Sequence, residues 1–309
     1  MSIPKSPEHA FSSQNSPVDP LPSLDVEQWQ AAAWFQSLQT QIIQEMEELD
    51  HECAPHNPRT TFEYTQWQRK ENEVEANFGG GCFGVMRHGN VFEKAGVAFS
   101  NVKGQFSPEF AKDIPGCDTG TDFTATGVSL VFHPKNPYVP IVHMNTRFVT
   151  TPNKRWFGGG TDLTPVMPFD EDTLSFHTAL KQACDDYHVN AYGDYKKWCD
   201  TYFYIPHRKE TRGVGGVFYD YLFTEEDHFD AVFSFTKNIG TTFLKIYGEI
   251  ARRRYHMPYG EDEKGAQFQK RAKYAEFNLI YDRGIKFGLN TGGNIDAMFM
   301  SLPPLCGWA

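Results

Sequence analysis

Three side chains of different polar chemistry alternate along one stretch of the chain: His143, Asn145 and Arg147. The surrounding residues 139–150 are rich in β-branched and aromatic side chains, which predicts a strand. Because successive strand side chains point to opposite faces, the three polar groups would share one face. Burying them costs free energy unless each is paired or binds something. This face is therefore a candidate ligand site, and an exposed sheet face is the alternative.

The preceding strand-like stretch, residues 124–133, offers two more polar side chains. Ser129 and His133 are an even number of positions apart and would also share a face. The turn-rich residues 134–137 separate the two stretches and favour antiparallel pairing. If the strands pair in this way, all five polar side chains can form one patch.

A glycine-rich segment follows at residues 157–165. Its three consecutive glycines, 158–160, let the backbone approach a ligand closely or adopt positive φ, and Asp162 adds a carboxylate. No Gly-Lys-Ser/Thr follows, so the segment does not match a phosphate-binding loop. A plain glycine-rich turn is the alternative.

A third segment, residues 276–284, predicts the end of a long helix. Gly284 is typical of a residue that terminates a helix. Asp282 would then lie in the last turn, where the helix dipole disfavours a negative charge. A residue placed against a local rule indicates function, although Arg283 beside it could simply neutralise the carboxylate.

Histidines raise the possibility of a metal site, with candidates His133, His143, His177 and His207. Mononuclear iron oxygenases use two histidines and one carboxylate. Here His143 is followed two positions later by Asn145 rather than by aspartate. A histidine on its own is more often a hydrogen-bonded structural residue than a ligand, so we keep the metal site only as an alternative.

The elements that must position these residues are predicted from periodicity and turn signals. Helices are expected over residues 24–50, 170–188, 192–204, 225–255 and 265–283. Strands are expected over 82–88, 91–100, 124–133, 139–150, 213–223 and 297–302. Adjacent strands flanked by blocks of helices predict an α+β fold with a large, mostly antiparallel sheet covered by helices on both faces. Residues 1–23 are Pro- and Ser-rich and are expected to be a disordered tail, with residues 24–309 forming a single catalytic domain.

Composition restricts the partners and the compartment. A net charge of −10 argues against nucleic acid and anionic membranes as partners. No run of 18 apolar residues occurs, so no membrane span is expected. Residues 1–23 contain no arginine, which argues against a mitochondrial transit peptide. The six cysteines of the chain are scattered without CxxC spacing, as expected of reduced thiols, so the cytoplasm is the expected compartment. Basic clusters such as Arg208, Lys209 and Arg212 are expected to be solvated faces.

These segments together resemble the oxygen-dependent coproporphyrinogen oxidase family. The resemblance runs from about residue 25 to the C-terminus and keeps the family's motif order. The matching motifs are GVSLVFHPKNPY at 127–138, VHMNTRF at 142–148, WFGGGTDLTP at 156–165, YKKWCD at 195–200, YFY at 202–204, HR at 207–208, GVGG at 213–216, EFNLIYDRG at 276–284 and FGLNTGG at 287–293.

The resemblance implies an activity and an assembly. Coproporphyrinogen III and O2 are expected to give protoporphyrinogen IX and two CO2, as two propionates become vinyls. O2 is the co-substrate, no cofactor is expected, and metal dependence is doubtful because only some members have been thought to use one. A homodimer is expected, with residues from about 274 onward in its interface.

The resemblance also implies roles for individual residues. His143 matches a position proposed as a proton donor, and Asp162 and Asp282 match charged residues implicated in turnover. Substrate-contacting positions are matched by Ser129, Asn145, Thr146, Arg147, Arg283, Gly292, Gly293 and Asn294. The four histidines above match proposed metal ligands in bacterial members.

One position departs from the family pattern. Relatives usually carry arginine where this chain has Asn294, and asparagine cannot pair bidentately with a propionate. Either another cation replaces it, or the backbone makes the contact. Two other functions stay open at this point: a metal-dependent oxygenase that uses the histidines, and a non-catalytic tetrapyrrole carrier that uses the same patch.

Overall fold

The computed structural model describes residues 26–69, 78–224, 228–290 and 293–308. Its helices are α1 (Val26–Cys53), α2 (Pro108–Ala111), α3 (Asp170–Asp185), α4 (Ala191–Tyr202), α5 (Phe229–Arg254), α6 (Glu261–Ile280), α7 (Arg283–Asn290) and α8 (Ile295–Phe299). Its strands are β1 (Glu63–Gln68), β2 (Gly79–Arg87), β3 (Phe92–Gln105), β4 (Asp122–Pro134), β5 (Ile141–Thr150), β6 (Arg155–Thr164), β7 (Tyr204–Ile205), β8 (Glu210–Thr211) and β9 (Gly215–Phe223). The expected tail and the expected helix start at residues 24–25 lie outside the described residues.

One antiparallel sheet organises the molecule. Seven strands follow the order β1-β2-β3-β4-β5-β6-β9, and β7 and β8 form a separate two-stranded sheet. Helices α1, α3 and α5 pack on one face, and α6 and the segment around α8 contact the other. The predicted α+β class with helices on both faces is therefore confirmed. Among the described residues, no helix has the length and apolar character that crossing a membrane requires.

The predicted antiparallel pairing of β4 with β5 is confirmed. The strands run antiparallel, with Ser129 opposite Asn145 and Val131 opposite His143. One face of the pair therefore carries the polar side chains. The opposite face belongs to the core, where Phe148 lies with its ring centroid 5.6 Å from that of Phe229 on α5. Core packing on that face fixes the register, because a slip of one residue would exchange the two faces.

The glycine-rich segment is a strand and not a turn, which corrects the prediction. It forms β6 between β5 and β9, and none of its glycines has positive φ. The reason for glycine is close approach across the sheet. A Cβ on Gly158 would lie 2.5 Å from Oδ1 of Asp220 and 2.9 Å from the Arg147 guanidinium. Gly158 therefore makes room for two charged side chains above the strand.

The C-terminal region contains two further corrections. The strand expected at residues 297–302 is wrong, because helix α8 begins after Asn294, whose Oδ1 accepts from the amide of Ala297 at 2.9 Å. A short apolar run does not distinguish strand from helix by periodicity alone. The placement of Asp282 in the last turn of a helix is also wrong. Helix α6 ends at Ile280, and Asp282 precedes α7.

Candidate active site

A cavity of about 650 Å³ lies on the polar face of the sheet. Strands β3, β4, β5, β6 and β9 form its floor, and α7, α8 and the residues after α8 lie across it. The following predicted site residues line the cavity: Ser129, His143, Asn145, Thr146, Arg147, Asp282, Arg283, Gly293 and Asn294. The structure thus brings together nearly all of the predicted set. Gly292 lies outside the described residues.

His143 lies at the centre of the floor, between two polar partners. Its Nδ1 is 3.0 Å from Oδ1 of Asp162 on β6, which is directly opposite in the strand register. Its Nε2 is 3.2 Å from Nδ2 of Asn145. The imidazole is therefore held on both nitrogens by side chains from two adjacent strands.

Asp162 lies beneath the cavity and is 1 % exposed. Arg212 donates two hydrogen bonds to it, at 2.6 and 3.1 Å. Burial alone would raise the pKa of the Asp162 carboxyl, but the Arg212 guanidinium and the bond from His143 outweigh burial and lower it. Asp162 is therefore an ionised, acceptor-only group behind the imidazole.

The prediction that Arg212 belongs to a solvated cluster is wrong, because this arginine is buried beside Asp162. Arg212 is 2 % exposed, and its guanidinium lies 3.9 Å from the ring centroid of Phe203 and 4.4 Å from that of Tyr274. It also donates to Oδ1 of Asn278 at 3.0 Å. Aromatic faces and a carboxylate together offset the cost of burying this charge.

Arg147 projects from β5 into the cavity and is paired at its base. Its Nη2 is 2.6 Å from Oδ2 of Asp220 on β9, and its Nη1 donates to Oδ1 of Asn145 at 3.4 Å. The Nη2 of Arg283 is 3.9 Å from the same Asp220 oxygen. Two arginines that could bind an anion are thus oriented by one buried carboxylate.

A bulge in β9 places Asp220. The β6–β9 register shifts between Phe157 and Gly159, so that Asp220 and Tyr221 both face Gly158. Tyr221 has φ of +53°, in the left-handed region that non-glycine residues adopt only at a cost. Bulges beside active sites often redirect a side chain, and here the bulge turns both residues toward the cavity.

Asp282 enters the cavity from the side opposite the floor. Its Oδ1 accepts from the amide of Ile285 at 2.7 Å, which makes it the N-cap of α7 and a favourable charge at that helix end. The next residue, Arg283, donates its backbone N–H to the hydroxyl of Tyr202 at 3.0 Å. Burial raises the pKa of Tyr202 to about 12, so this hydroxyl stays protonated.

Two predicted substrate contacts differ from the rest in geometry. Thr146 borders the cavity, but strand alternation directs its side chain to the opposite face, and it is 1 % exposed. Asn294 lines the cavity while its side-chain oxygen caps α8. The side chain of Asn294 therefore has a structural partner within its own helix.

The four candidate metal-binding histidines do not converge. Nε2 of His133 donates to the carbonyl of Ser301 at 2.9 Å, and burial lowers the pKa of His133 to about 3. His177 contacts the Val214 carbonyl, and His207 contacts Glu276. Across the described ranges, no three His, Cys, Asp or Glu side chains gather as a possible metal site. The four histidines therefore lie at separate positions in the fold, each with its own hydrogen-bond partner.

Two site residues were missed by sequence reasoning, Arg212 and Asp220. Asp220 lies between two tyrosines in an apolar, aromatic strand, and a central aspartate there violates strand preferences. That violation was a usable signal. Arg212 gives no comparable signal, because an arginine before a glycine-rich strand is ordinary in sequence and only the fold shows that it is buried.

The chemistry of the site suits a large anion with N–H groups. Five cationic side chains line the cavity of an acidic chain: Arg69, Arg147, Arg212, Arg283 and Lys286. The carboxylate of Asp282 can accept hydrogen bonds from a ligand through the oxygen that the helix cap does not use. Apolar side chains such as Phe106, Phe110 and Phe287 close one end of the cavity.

Comparison with known proteins gives a consistent result. The family model described as coproporphyrinogen III oxidase matches residues 30–309. The oxygen-dependent coproporphyrinogen-III oxidase of Rickettsia akari (strain Hartford) is 47 % identical over 273 residues, covering 88 % of this chain and 94 % of that protein. The protein of the same name from Rickettsia bellii (strain OSU 85-389) is 46 % identical over 280 residues, covering 90 % of this chain and 97 % of the relative.

Proposed function

The chain belongs to the coproporphyrinogen III oxidase family, and from this premise we propose that it converts coproporphyrinogen III to protoporphyrinogen IX with O2. The observation that carries the proposal is the cavity itself. It combines arginines for propionates with a hydrogen-bonded His143–Asp162 pair and with the carboxylate of Asp282. These are the groups that a tetracarboxylate with pyrrole N–H groups requires.

The chemistry balances without a further reductant or oxidant. Each reacting propionate loses CO2, one proton and two electrons to become a vinyl group. One O2 accepts those two electrons, the released proton and one further proton from solvent, and leaves as hydrogen peroxide. Two such rounds, on the ring A and ring B propionates, give the divinyl product.

Residue roles follow from position. Arg147 holds a propionate through guanidinium N–H groups beyond the two bound to Asp220 and Asn145. Asp282 accepts hydrogen bonds from the pyrrole N–H groups of the flexible macrocycle and favours an electron-rich, deprotonated pyrrole that reduces O2. His143 transfers protons beside the reacting propionate.

The enzyme is proposed to need no metal and no cofactor. An electron-rich pyrrole is itself the reductant, and the proposal is supported by the separate hydrogen-bond partners of His133, His177 and His207. Elemental analysis of chelator-treated, active protein tests this. Activity that appears only after a metal is restored would contradict it.

The protein is proposed to form a homodimer and to act in the cytoplasm. Apolar side chains are exposed around α6, α7, α8 and the C-terminal residues, and their relative exposures are 48–61 %: Leu279, Ile280, Leu289, Ile295, Leu305 and Trp308. A second copy can cover this surface. Light scattering should give a dimer mass for the protein and a monomer for Leu279→Asp. Leu174→Asp, on a leucine of α3 that is 69 % exposed against 54 % for Leu279, is the matched control and should stay dimeric.

The test of the activity is a chromatographic assay with fluorescence detection. Chelator-treated protein is incubated with coproporphyrinogen III in air and without O2, and Asp282→Asn protein reports uncatalysed oxidation. A divinyl product that forms only with the unmodified protein and O2 supports the proposal. Tight binding of substrate without product in either condition would instead indicate a tetrapyrrole carrier.

A further inference from the structure

We infer that Asn145 and Arg212 are positioning residues that hold His143 in one tautomer, with hydrogen on Nδ1 and the lone pair on Nε2. His143 then enters the reaction as a proton acceptor rather than a donor. The inference deepens the proposed function and rests on it for the identity of the substrate. It assigns to two residues a role that concerns the imidazole and not the substrate.

The first step concerns the orientation of the Asn145 amide. The guanidinium of Arg147 can only donate, and it lies 3.4 Å from Oδ1 of Asn145. The amide oxygen therefore faces Arg147, and the amide NH2 faces the other way. That NH2 is the group 3.2 Å from Nε2 of His143, so Nε2 must accept and carries no hydrogen.

The second step comes from the opposite side of the ring. Asp162 is an acceptor, because the donor groups of Arg212 approach both of its oxygens, at 2.6 and 3.1 Å. Nδ1 of His143, 3.0 Å from Asp162, must therefore donate. The two sides agree on one neutral tautomer.

Arg212 cannot be replaced by lysine without changing how Asp162 is held. Its side chain is 2 % exposed and is fixed by Asn278 as well as by the rings of Phe203 and Tyr274. A lysine ammonium has no planar fork and cannot approach both oxygens of Asp162 in the same way. Arg212 therefore sets the position of the carboxylate, and the carboxylate sets the imidazole.

The consequence is a directed proton transfer. A C–H bond of the reacting propionate side chain breaks, and its proton forms the Nε2–H bond of an imidazolium that Asp162 stabilises. The electron pair stays on the substrate until O2 accepts two electrons and CO2 leaves. The new N–H then faces the Asn145 NH2, so two donors are opposed. Asn145 must turn its amide, which places its oxygen toward His143 and ends its bond from Arg147.

The first experiment reads the tautomer directly by NMR of protein labelled with 15N at histidine. Long-range proton–nitrogen correlations distinguish a protonated from an unprotonated ring nitrogen, and a His143→Gln sample assigns the signals. The result expected for the unmodified protein is a protonated Nδ1 and an unprotonated Nε2. A protonated Nε2 in the resting protein would overturn the inference.

Two variants test the positioning residues. Asn145→Asp has the same shape but replaces the donor by an acceptor, so Nε2 should become protonated and kcat should fall on the order of 100-fold. Arg212→Lys should broaden or shift the Nδ1–H signal with a similar loss in kcat and little change in KM. An unchanged tautomer and an unchanged kcat in Asn145→Asp would contradict the role of Asn145.

The NMR measurement needs no substrate, which separates the two proposals. A wild-type protein that fails to convert coproporphyrinogen III would overturn the proposed function, while the tautomer would still be tested by its nitrogen signals. If Arg212→Lys does not fold, Asn145→Asp still decides the role of Asn145 and the tautomer, since Asn145 lies on the floor of the cavity and not in the apolar core.

Discussion

The two faces of β5 are built from alternating residues of one strand, and they differ in polarity and in the contacts that hold their side chains. On the core face, Val142, Met144 and Phe148 are at most 1 % exposed, and they pack among apolar side chains. On the cavity face, His143 and its neighbours are joined by hydrogen bonds into a chain that ends at Asp162 and Asp220. The comparison shows how one strand can hold polar groups in place by packing its other side.

The energetics of the two faces oppose each other. Core burial stabilises the fold through apolar area removed from water. Assembling the polar face costs desolvation, which its hydrogen bonds only partly offset. Each face therefore predicts its own kind of mutational failure, in stability on one side and in turnover on the other.

The largest expected effect separates the faces within one strand. Phe148→Ala should lower the free energy of unfolding by about 3–5 kcal/mol, because it leaves a cavity where two aromatic rings pack against Phe148, with centroid distances of 4.5 and 5.6 Å. Asn145→Ala, three positions away on the other face, should cost only about 1 kcal/mol. Denaturant unfolding measures both. Equal losses would end the distinction between the two faces.

The next largest effect is expected at Asp282, on the side of the cavity opposite the sheet. Asp282→Asn removes the charge but keeps an N-cap, since asparagine caps a helix as well as aspartate does. We expect kcat to fall on the order of 100-fold or more, with substrate binding and thermal stability nearly unchanged. Asp282→Ala is the control, and it should lose helix stability as well. Near-normal turnover in the asparagine variant would remove Asp282 from the proposed mechanism.

A smaller effect, on KM, is expected at Arg147, the proposed contact to a substrate propionate. Arg147→Ala should raise KM about 10-fold, corresponding to roughly 1.4 kcal/mol of lost binding. Part of that loss arises because Asp220, which is 7 % exposed, is left without its 2.6 Å partner. The double variant Arg147→Ala Asp220→Asn has a neutral side chain at position 220, so it removes the effect of an unpaired buried carboxylate on KM. A KM that stays at the wild-type value in both variants would contradict the clamp.

The faces also differ in how far sequence could predict them. Alternation in β5 was enough to predict that His143, Asn145 and Arg147 share a face, because period two is a local property. Local rules could not reveal that the glycines of residues 158–160 lie in a central strand. For Gly158 the reason is the space that Asp220 and Arg147 occupy from neighbouring strands, whereas Gly159 and Gly160 face backbone oxygens of β5 and β9.

Contacts between distant elements account for the other errors. Asp282 was placed at the end of one helix, whereas its carboxylate caps the next, and a gap of two residues between α6 and α7 decides the difference. Arg212 belongs to the site because it pairs with Asp162, which is distant in sequence. Sequence therefore predicted the strand that carries the site, and tertiary packing determined the groups that orient it.

The smallest effect concerns the asparagine that replaces the family's usual arginine. If the side chain of Asn294 serves mainly to cap α8, Asn294→Ala should cost about 1 kcal/mol of stability and change KM less than about threefold. Asn294→Ser keeps a capping oxygen and should match the wild type in both measurements. Asn294→Arg should lose the cap while adding a cation at the cavity. A KM that falls markedly in Asn294→Arg would show that this wall of the cavity lacks an anion contact, whereas an unchanged KM would indicate that the arginines on the floor already supply it.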